Sequence, residues 1–279
     1  HRVDRRQRQM CIRDRTTTMS MLTGMISPTS GTAMINGFDI RRNIQAVRSS
    51  IGLCPQHNIL FDALTVKEHI IFYSQLKGLS LSKANDEVKK FVGPLGLESK
   101  IDSQAGTLSG GMKRKLAVGI ALCANSRFVL LDEPSSGVDP SSRRALWDVL
   151  EKEKEGRTIL LSTHFMDEAD VLGDQIAIMS AGRLEAIGSS FALKSKYGVG
   201  YHLVCVKKQS CNVSKVTNLL RNHMPDIHLE SDIGAELSYL LDRQHVAKFQ
   251  KMLEDLESNS DELESFGISL TTLEEVFLR

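Results

Sequence analysis

No stretch of this 279-residue chain is apolar for long enough to cross a bilayer. The longest run, Leu116–Ala124, contains a glycine and falls far short of the ~18 residues a spanning helix needs. Net charge is nearly absent as well. Lys and Arg number 35 against 34 Asp and Glu, a balance of +1, so no overall field draws the chain to nucleic acid. The five cysteines (Cys11, Cys54, Cys123, Cys205 and Cys211) are odd in number and scattered, which excludes a disulfide scaffold. With no signal peptide in view, they are expected to be reduced thiols in a cytosolic setting. Neither an internal repeat nor a low-complexity tract occurs. What remains is ordinary for a globular chain with a real core: 41% hydrophobic and 25% charged residues, at a length that suits one large domain or a medium domain with a small companion.

The segment His1–Arg15 stands apart from the rest. It holds six arginines and two aspartates, a charge of +4, which leaves 29 basic and 32 acidic side chains, or −3, over residues 16–279. It has no apolar periodicity. A transit peptide should be richer in serine and poorer in acids, and a short arginine cluster is more often a solvated tail than a nucleic-acid arm.

From Thr16 the pattern is globular. Helical spacing over Thr16–Met25 precedes a turn at Pro28–Gly31 and a strand at Ala33–Ile35 that ends on Asn36-Gly37. Strands are expected at Ile51–Cys54, Phe128–Leu131, Thr158–Ser162 and Gln175–Met179. The strands at Phe128 and Thr158 are expected to be buried on both faces. Helices are expected at Val66–Leu76, Lys83–Leu95, Ser109–Ala124, Ser141–Lys154 and Met166–Leu172. This alternation predicts an α/β domain with a mainly parallel sheet. Beyond Tyr197–Gly200 the order becomes Tyr201–Val206 strand, Val213–His223 helix, strands Ile227–Glu230 and Leu237–Leu241, helix His245–Leu256, strand Gly267–Leu270 and a last turn Thr272–Phe277. That β-α-β-β-α-β order predicts a small ferredoxin-like α+β subdomain.

The apolar run Phe128–Leu131 delivers two adjacent carboxylates, Asp132 and Glu133, to a strand's C-terminal edge, where open α/β sheets bind ligands. One can hold Mg²⁺ and the other can polarise a water, although Asp-Glu-Pro alone is equally well a simple strand end. Upstream, Ser109-Gly110-Gly111 at a helix start offers backbone N–H groups to an anion; in isolation it is a serine N-cap. His164 comes just after Thr158–Ser162, where it can hydrogen-bond a terminal phosphate. Gln56 sits in a loop after Cys54-Pro55, and Asp139 in a turn just after the paired carboxylates.

In this order the motifs resemble the nucleotide-binding domain of an ATP-binding-cassette (ABC) transporter, over Thr16 to about Lys196. Leu108–Met112 is similar to the family signature, Phe128–Glu133 to its Walker B strand, Gln56 to its Q-loop, Ser136–Asp139 to its D-loop and His164 to its switch histidine. Cys54–Asn58, Met112–Lys115 and Thr271–Phe277 resemble subfamily A, the lipid-moving exporters, in which a small regulatory domain comes after the cassette. The resemblance implies a P-loop NTPase-like ABC ATPase fold with a helical subdomain, over 16–198, and a regulatory subdomain over 199–279. It implies ATP and Mg²⁺ as ligands. Glu133, His164 and Gln56 are the implied catalytic residues; Thr16, Thr17, Ser109, Gly110, Gly111 and Asp139 contact ATP; Thr16, Asp132 and Gln56 serve the metal. The implied partners are a second cassette bound head-to-tail, the transporter's transmembrane domains and, through them, lipid, but not nucleic acid. The implied location is the cytosolic face of a membrane.

One family element is missing. Thr16-Thr17-Thr18 looks like the residues immediately after the phosphate-loop lysine, but Arg15 occupies the lysine position and Asp4–Asp14 contains no glycine. Residues 1–15 are therefore expected to stand in place of native sequence. The alternative is a binding or regulatory module that supplies only its signature face to a partner's ATP.

Overall fold

The computed structural model describes residues 15–278, apart from 199, 209, 260 and 261; the arginine-rich residues 1–14 lie outside the described residues. The chain divides into two compact units. One runs to Leu172 and includes Met179–Glu185; the other comprises Gly173–Ile178 and everything from Ala186 onward.

The first unit is built on a parallel three-stranded sheet in the order β3 (Ile51–Cys54), β4 (Phe128–Asp132), β5 (Thr158–Ser162). Successive side chains on a strand point to opposite faces, and the two faces carry separate cores. Cys54, Val129 and Leu131 join the larger core, while Ile51 and Leu130 join the smaller. The smaller core is closed by helix α1 (15–22), by a hairpin of β1 (Met34–Ile35) and β2 (Phe38–Asp39), and by α2 (Ile44–Ser50), through Met19, Ile35, Ile40 and Val47. The larger core takes in α3 (Val66–Leu76), α4 (Leu81–Val92), α5 (Gly110–Leu122) and α6 (Pro140–Glu153). Helix starts are set by local chemistry. Thr65 and Glu68 form a reciprocal capping box on α3, and Ser80 caps α4, starting it two residues before the expected Lys83. Helix α5 lies so close to β3 that a Cβ on Gly52 would stand 1.8 Å from the Ala121 carbonyl oxygen. Only glycine fits there. The short helix α7 (Met166–Leu172) comes after β5.

Two expectations are corrected. The run near Gln175–Met179 is not part of the parallel sheet: β6 (Ile176–Ser180) pairs with β7 (Arg183–Gly188) in a separate two-stranded sheet. Ala181 and Gly182 both take positive φ, 48° and 76°, the conformation of a two-residue hairpin turn that sends the chain straight back. Strand β5 is also not buried on both faces. It has a neighbour only in β4 among the described residues, and Leu160 on its second face is 38% exposed.

The second unit has helix α8 (Ser190–Tyr197) and then strand β8 (Tyr201–Lys207), α9 (Val213–His223), β9 (His228–Ile233), β10 (Glu236–Leu241), α10 (Val246–Asn259), β11 (Leu263–Leu270) and α11 (Leu273–Leu278). Its sheet order, β11-β8-β10-β9 with all neighbours antiparallel, is that of a ferredoxin-like split βαβ fold. Leu203, Cys205, Leu237, Tyr239 and Leu241 pack on Val216 and Leu220 of α9 and on Phe249, Met252 and Leu256 of α10. Cys54, Cys123, Cys205 and Cys211 are free thiols. Among the described residues no helix is long and apolar enough to cross a membrane.

Candidate active site

Strand β4 ends at Asp132 and Glu133 comes immediately after it; they are 4% and 7% exposed at the C-terminal edge of the parallel sheet. Burying a carboxylate is costly unless donors reach it. Both Asp132 oxygens have one: the Thr16 hydroxyl donates to Oδ2 at 2.9 Å, and the Ser162 hydroxyl donates to Oδ1. Glu133 sits in the left-handed region at φ 52°, a conformation that costs a side-chain-bearing residue about 1 kcal/mol and is held only by its surroundings. Its N–H donates to the Ser162 carbonyl at 2.9 Å, which ties this turn to the end of β5. Just beyond β5, His164 Nδ1 lies 3.3 Å from Glu133 Oε1. The imidazole is 41% exposed and the carboxylate 8%. A buried carboxylate thus meets a histidine whose other edge faces outward.

Gln56 is reached through its backbone. The Arg114 guanidinium donates to the Pro55 and Gln56 carbonyls, while the same group donates to the Asp132, Glu133 and Pro134 carbonyls. The structure therefore draws Thr16, Asp132, Glu133, His164 and the Gln56 backbone into one neighbourhood. Ser109 and Asp139 each cap a helix. Ser109 Oγ accepts from the Met112 N–H at 3.3 Å, leaving Gly110 and Gly111 in the first turn of α5. Asp139 Oδ1 accepts from the Ser142 N–H at 3.0 Å and the Ser141 hydroxyl at 2.6 Å, and these bonds hold its carboxyl well below the usual carboxylate range. A Cβ on Gly111 would stand 3.3 Å from the Gly137 carbonyl oxygen, so the signature glycine and the 136–139 turn touch. Thr17 is exposed on α1, and the Arg15 guanidinium donates to the Thr163 carbonyl, beside His164. At the end of β3, burial pushes the Cys54 thiol up to about 11, so it remains protonated near neutrality.

Sequence reasoning missed Ser162 and Arg114 as parts of this cluster. Ser162 carried a signal, as the polar last residue of an apolar strand beside the Asp132 strand. Arg114 carried no signal of its own, because it lies in the run Lys113-Arg114-Lys115, which reads as a solvated basic face.

The donor set fits a hydrated Mg²⁺. Thr16 and Asp132 place a hydroxyl and a carboxylate oxygen side by side, hard ligands that leave the remaining octahedral positions to water and phosphate. Glu133 and His164 set a carboxylate against an imidazole at the same edge.

A parallel sheet with such an edge and a serine-glycine helix start is the arrangement expected of an ABC-type ATP-binding cassette. Residues 15–136 match the ABC transporter family and residues 201–273 an ACT-like domain. Over the matched residues the chain accordingly belongs to the ABC transporter family, and the relatives that align with 95% of it are subfamily A members. It is 55% identical over 267 residues to the phospholipid-transporting ATPase ABCA3 of Rattus norvegicus and 42% identical over 307 residues to the retinal-specific phospholipid-transporting ATPase ABCA4 of Bos taurus. These alignments cover 95% of the chain but 16% and 14% of those proteins, so the chain spans a small part of the curated relatives it matches. Among solved structures, the ATP-binding subunit of an ABC transporter superposes with a TM-score of 0.61 at 28% identity, covering 66% of this chain and 77% of that one. A dimeric post-hydrolysis ATP-binding cassette bound to ADP and Pi has the same fold, with a TM-score of 0.57 at 22% identity over 62% of this chain and 79% of that one.

Proposed function

We propose that this chain is the ATP-hydrolysing cassette of a lipid exporter. In this reading it works at the cytosolic face of a membrane beside transmembrane domains and pairs head-to-tail with a second cassette. The observation that carries the reading is the Glu133–His164 contact of 3.3 Å beside an Asp132 whose two oxygens are bonded to Thr16 and Ser162. Glu133 accepts the proton of the attacking water. His164 orients Glu133 and presents its outer edge to the terminal phosphate, and Gln56 reports on that phosphate from its loop. Thr16 and Asp132 hold Mg²⁺, which when bound neutralises phosphate charge. The Ser109-Gly110-Gly111 amides and Asp139 face the partner's ATP, and Thr17 the cassette's own. The ACT-like unit serves as the regulatory domain.

The 42–55% identity to named phospholipid-transporting ATPases supports the lipid assignment. Arg15 supports one competing reading, that this face is inactive and only the signature face works, because its guanidinium is engaged by the Thr163 carbonyl where the family carries a phosphate-binding lysine. Steady-state MgATP hydrolysis by the transporter that carries this cassette tests the proposal. Replacing Glu133 by Gln should lower kcat by ~10² or more, the usual contribution of a general base, with nucleotide still bound. Unchanged turnover removes Glu133 as the base and leaves the signature-only reading standing.

A further inference from the structure

Arg114 is 2% exposed, one of the largest fully buried side chains in the protein, and among the described residues no carboxylate neutralises it within hydrogen-bond distance. A buried cation persists only where other acceptors replace water. Here they are main-chain carbonyls and one side-chain amide, in two groups. On one side Nε and Nη2 donate to three consecutive carbonyls: Asp132, Glu133 (2.9 Å from Nη2) and Pro134 (3.3 Å from Nε). On the other, Nη1 donates to the Pro55 carbonyl, the Gln56 carbonyl at 3.2 Å and Asn58 Oδ1 at 3.1 Å. The planar guanidinium shares its five N–H groups between two loops that no strand pairing joins at these positions.

The first group is the turn in which Glu133 holds its left-handed conformation, at φ 52°. Three carbonyls converging on one cation are a direct means of keeping that turn from relaxing. The second group is the loop that carries Gln56, whose far end is fixed by His69. The Phe61 N–H donates to His69 Nε2 at 3.0 Å, so the proton sits on Nδ1, which donates to the Thr65 carbonyl at 2.8 Å. Arg114 itself lies in the second turn of α5, three residues beyond Gly111, and a Cβ on Gly111 would stand 3.3 Å from the Gly137 carbonyl oxygen.

The geometry points to Arg114 as a positioning residue that locks the Glu133 turn, the Gln56 loop and the first turns of α5 into one mechanical unit. This rests on the proposed ATPase reading for its consequence, though not for the link itself. A displacement of the Ser109–Gly111 face by a partner's nucleotide then reaches Glu133 and Gln56 of the same chain through a single side chain. The two sites of a cassette pair would be coupled within each chain as well as across the interface.

Hydrogen exchange on the 279-residue chain tests the link without any need for turnover. Arg114→Lys keeps the charge but offers one point of donation, which cannot span both loops, and Arg114→Met removes the donors. In both variants the amides of Glu133, Ser136 and Phe61, all hydrogen-bonded in the native chain, should exchange about ten-fold or more faster together, with Val129–Leu131 unchanged. Faster exchange on one side only overturns the inference, and so does an equal rise across β3, β4 and β5, since that means general loosening. The second measurement is MgATP kinetics of the transporter carrying Arg114→Lys. A kcat about ten-fold lower with KM nearly unchanged is expected of a residue acting through Glu133. A rise in KM alone contradicts it. Absence of turnover in the unaltered protein instead counts against the ATPase proposal, and the exchange result then decides the link by itself.

Discussion

Each unit of this chain contains a histidine set against glutamate, and the two arrangements differ in what they leave open. In the first, His164 is 41% exposed, and among the described residues its polar partner is Glu133, at 3.3 Å from Nδ1. In the second, His202 on β8 is 13% exposed and both ring nitrogens are taken, Nδ1 by Glu230 at 3.0 Å and Nε2 by Glu275 at 2.9 Å. Burial is reversed. The cassette buries the carboxylate and turns the histidine outward, whereas the ACT-like unit buries the histidine and leaves glutamates that are 48% and 37% exposed. A saturated histidine fastens strand to helix and has nothing left to offer a ligand. A histidine with an open edge over a buried carboxylate can serve one. The same residue types at similar distances therefore carry different meanings, and free hydrogen-bonding capacity is what separates them.

Removing each imidazole in turn should have the largest and most unequal effects. His164→Ala should lower MgATP turnover by ~10² or more with little change in melting, since the residue packs at an open edge. His202→Ala should leave turnover near its starting value and cost the ACT-like unit about 1 kcal/mol, the scale of partly exposed charged pairs. Turnover and a melting scan of each variant check both halves. Comparable losses of activity in the two would mean that the open edge of His164 is not what matters.

How far each arrangement was legible in the sequence depends on how local its causes are. Asp132, Glu133 and His164 could be placed because a strand end fixes where a side chain emerges, and the β-α-β-β-α-β order of the second unit came from alternation and turn residues. The Val213–His223 helix was found to the residue. The hairpin at Ala181-Gly182 was missed because a left-handed alanine leaves no mark in composition, and with it α8, whose cap is Ser189. The second face of β5 was misjudged because edge position depends on sheet order, which apolar content does not encode. For a related reason the partners of Ser162, Arg114 and the His202 cluster could not be read, although the polar end of β5 did mark Ser162 itself. Their partners are 30, 18 to 59, and 28 to 73 residues away, and only the folded sheet brings them together.

Two glycines allow the stability of the units to be compared directly. Gly52 on β3 meets the Ala121 carbonyl oxygen at 1.8 Å from an added Cβ, and Gly200 before β8 meets the Leu241 carbonyl oxygen at 2.2 Å with φ 132°, in the region that disfavours side chains. In both cases the obstacle is backbone, which cannot swing aside. Alanine at either position should cost about 1–3 kcal/mol or more, as over-packing does. Hydrogen exchange should report Gly52→Ala in the amides of β3 and α5, and Gly200→Ala in those of β8 and β10. A loss spread equally over both units by either variant would show that they do not unfold separately.

The smallest expected effect is the acid response of the His202 cluster. Burial is the largest single influence on Glu275 and pushes its carboxyl up. Hydrogen bonds from His202 and Thr272 together outweigh it and hold the group below its ordinary value. A carboxyl depressed in the folded state binds fewer protons there than in the unfolded chain. Its contribution is therefore complete above the unfolded value of about 4.3 and disappears as pH falls through the folded value. Glu275→Gln should accordingly lower the midpoint of the second unit modestly at pH 7, and the gap between variant and parent should close on acidification below about pH 4. A gap that stays constant from pH 7 to pH 3 would mean that Glu275 holds α11 by packing alone and that the saturated histidine cluster is not an electrostatic fastening.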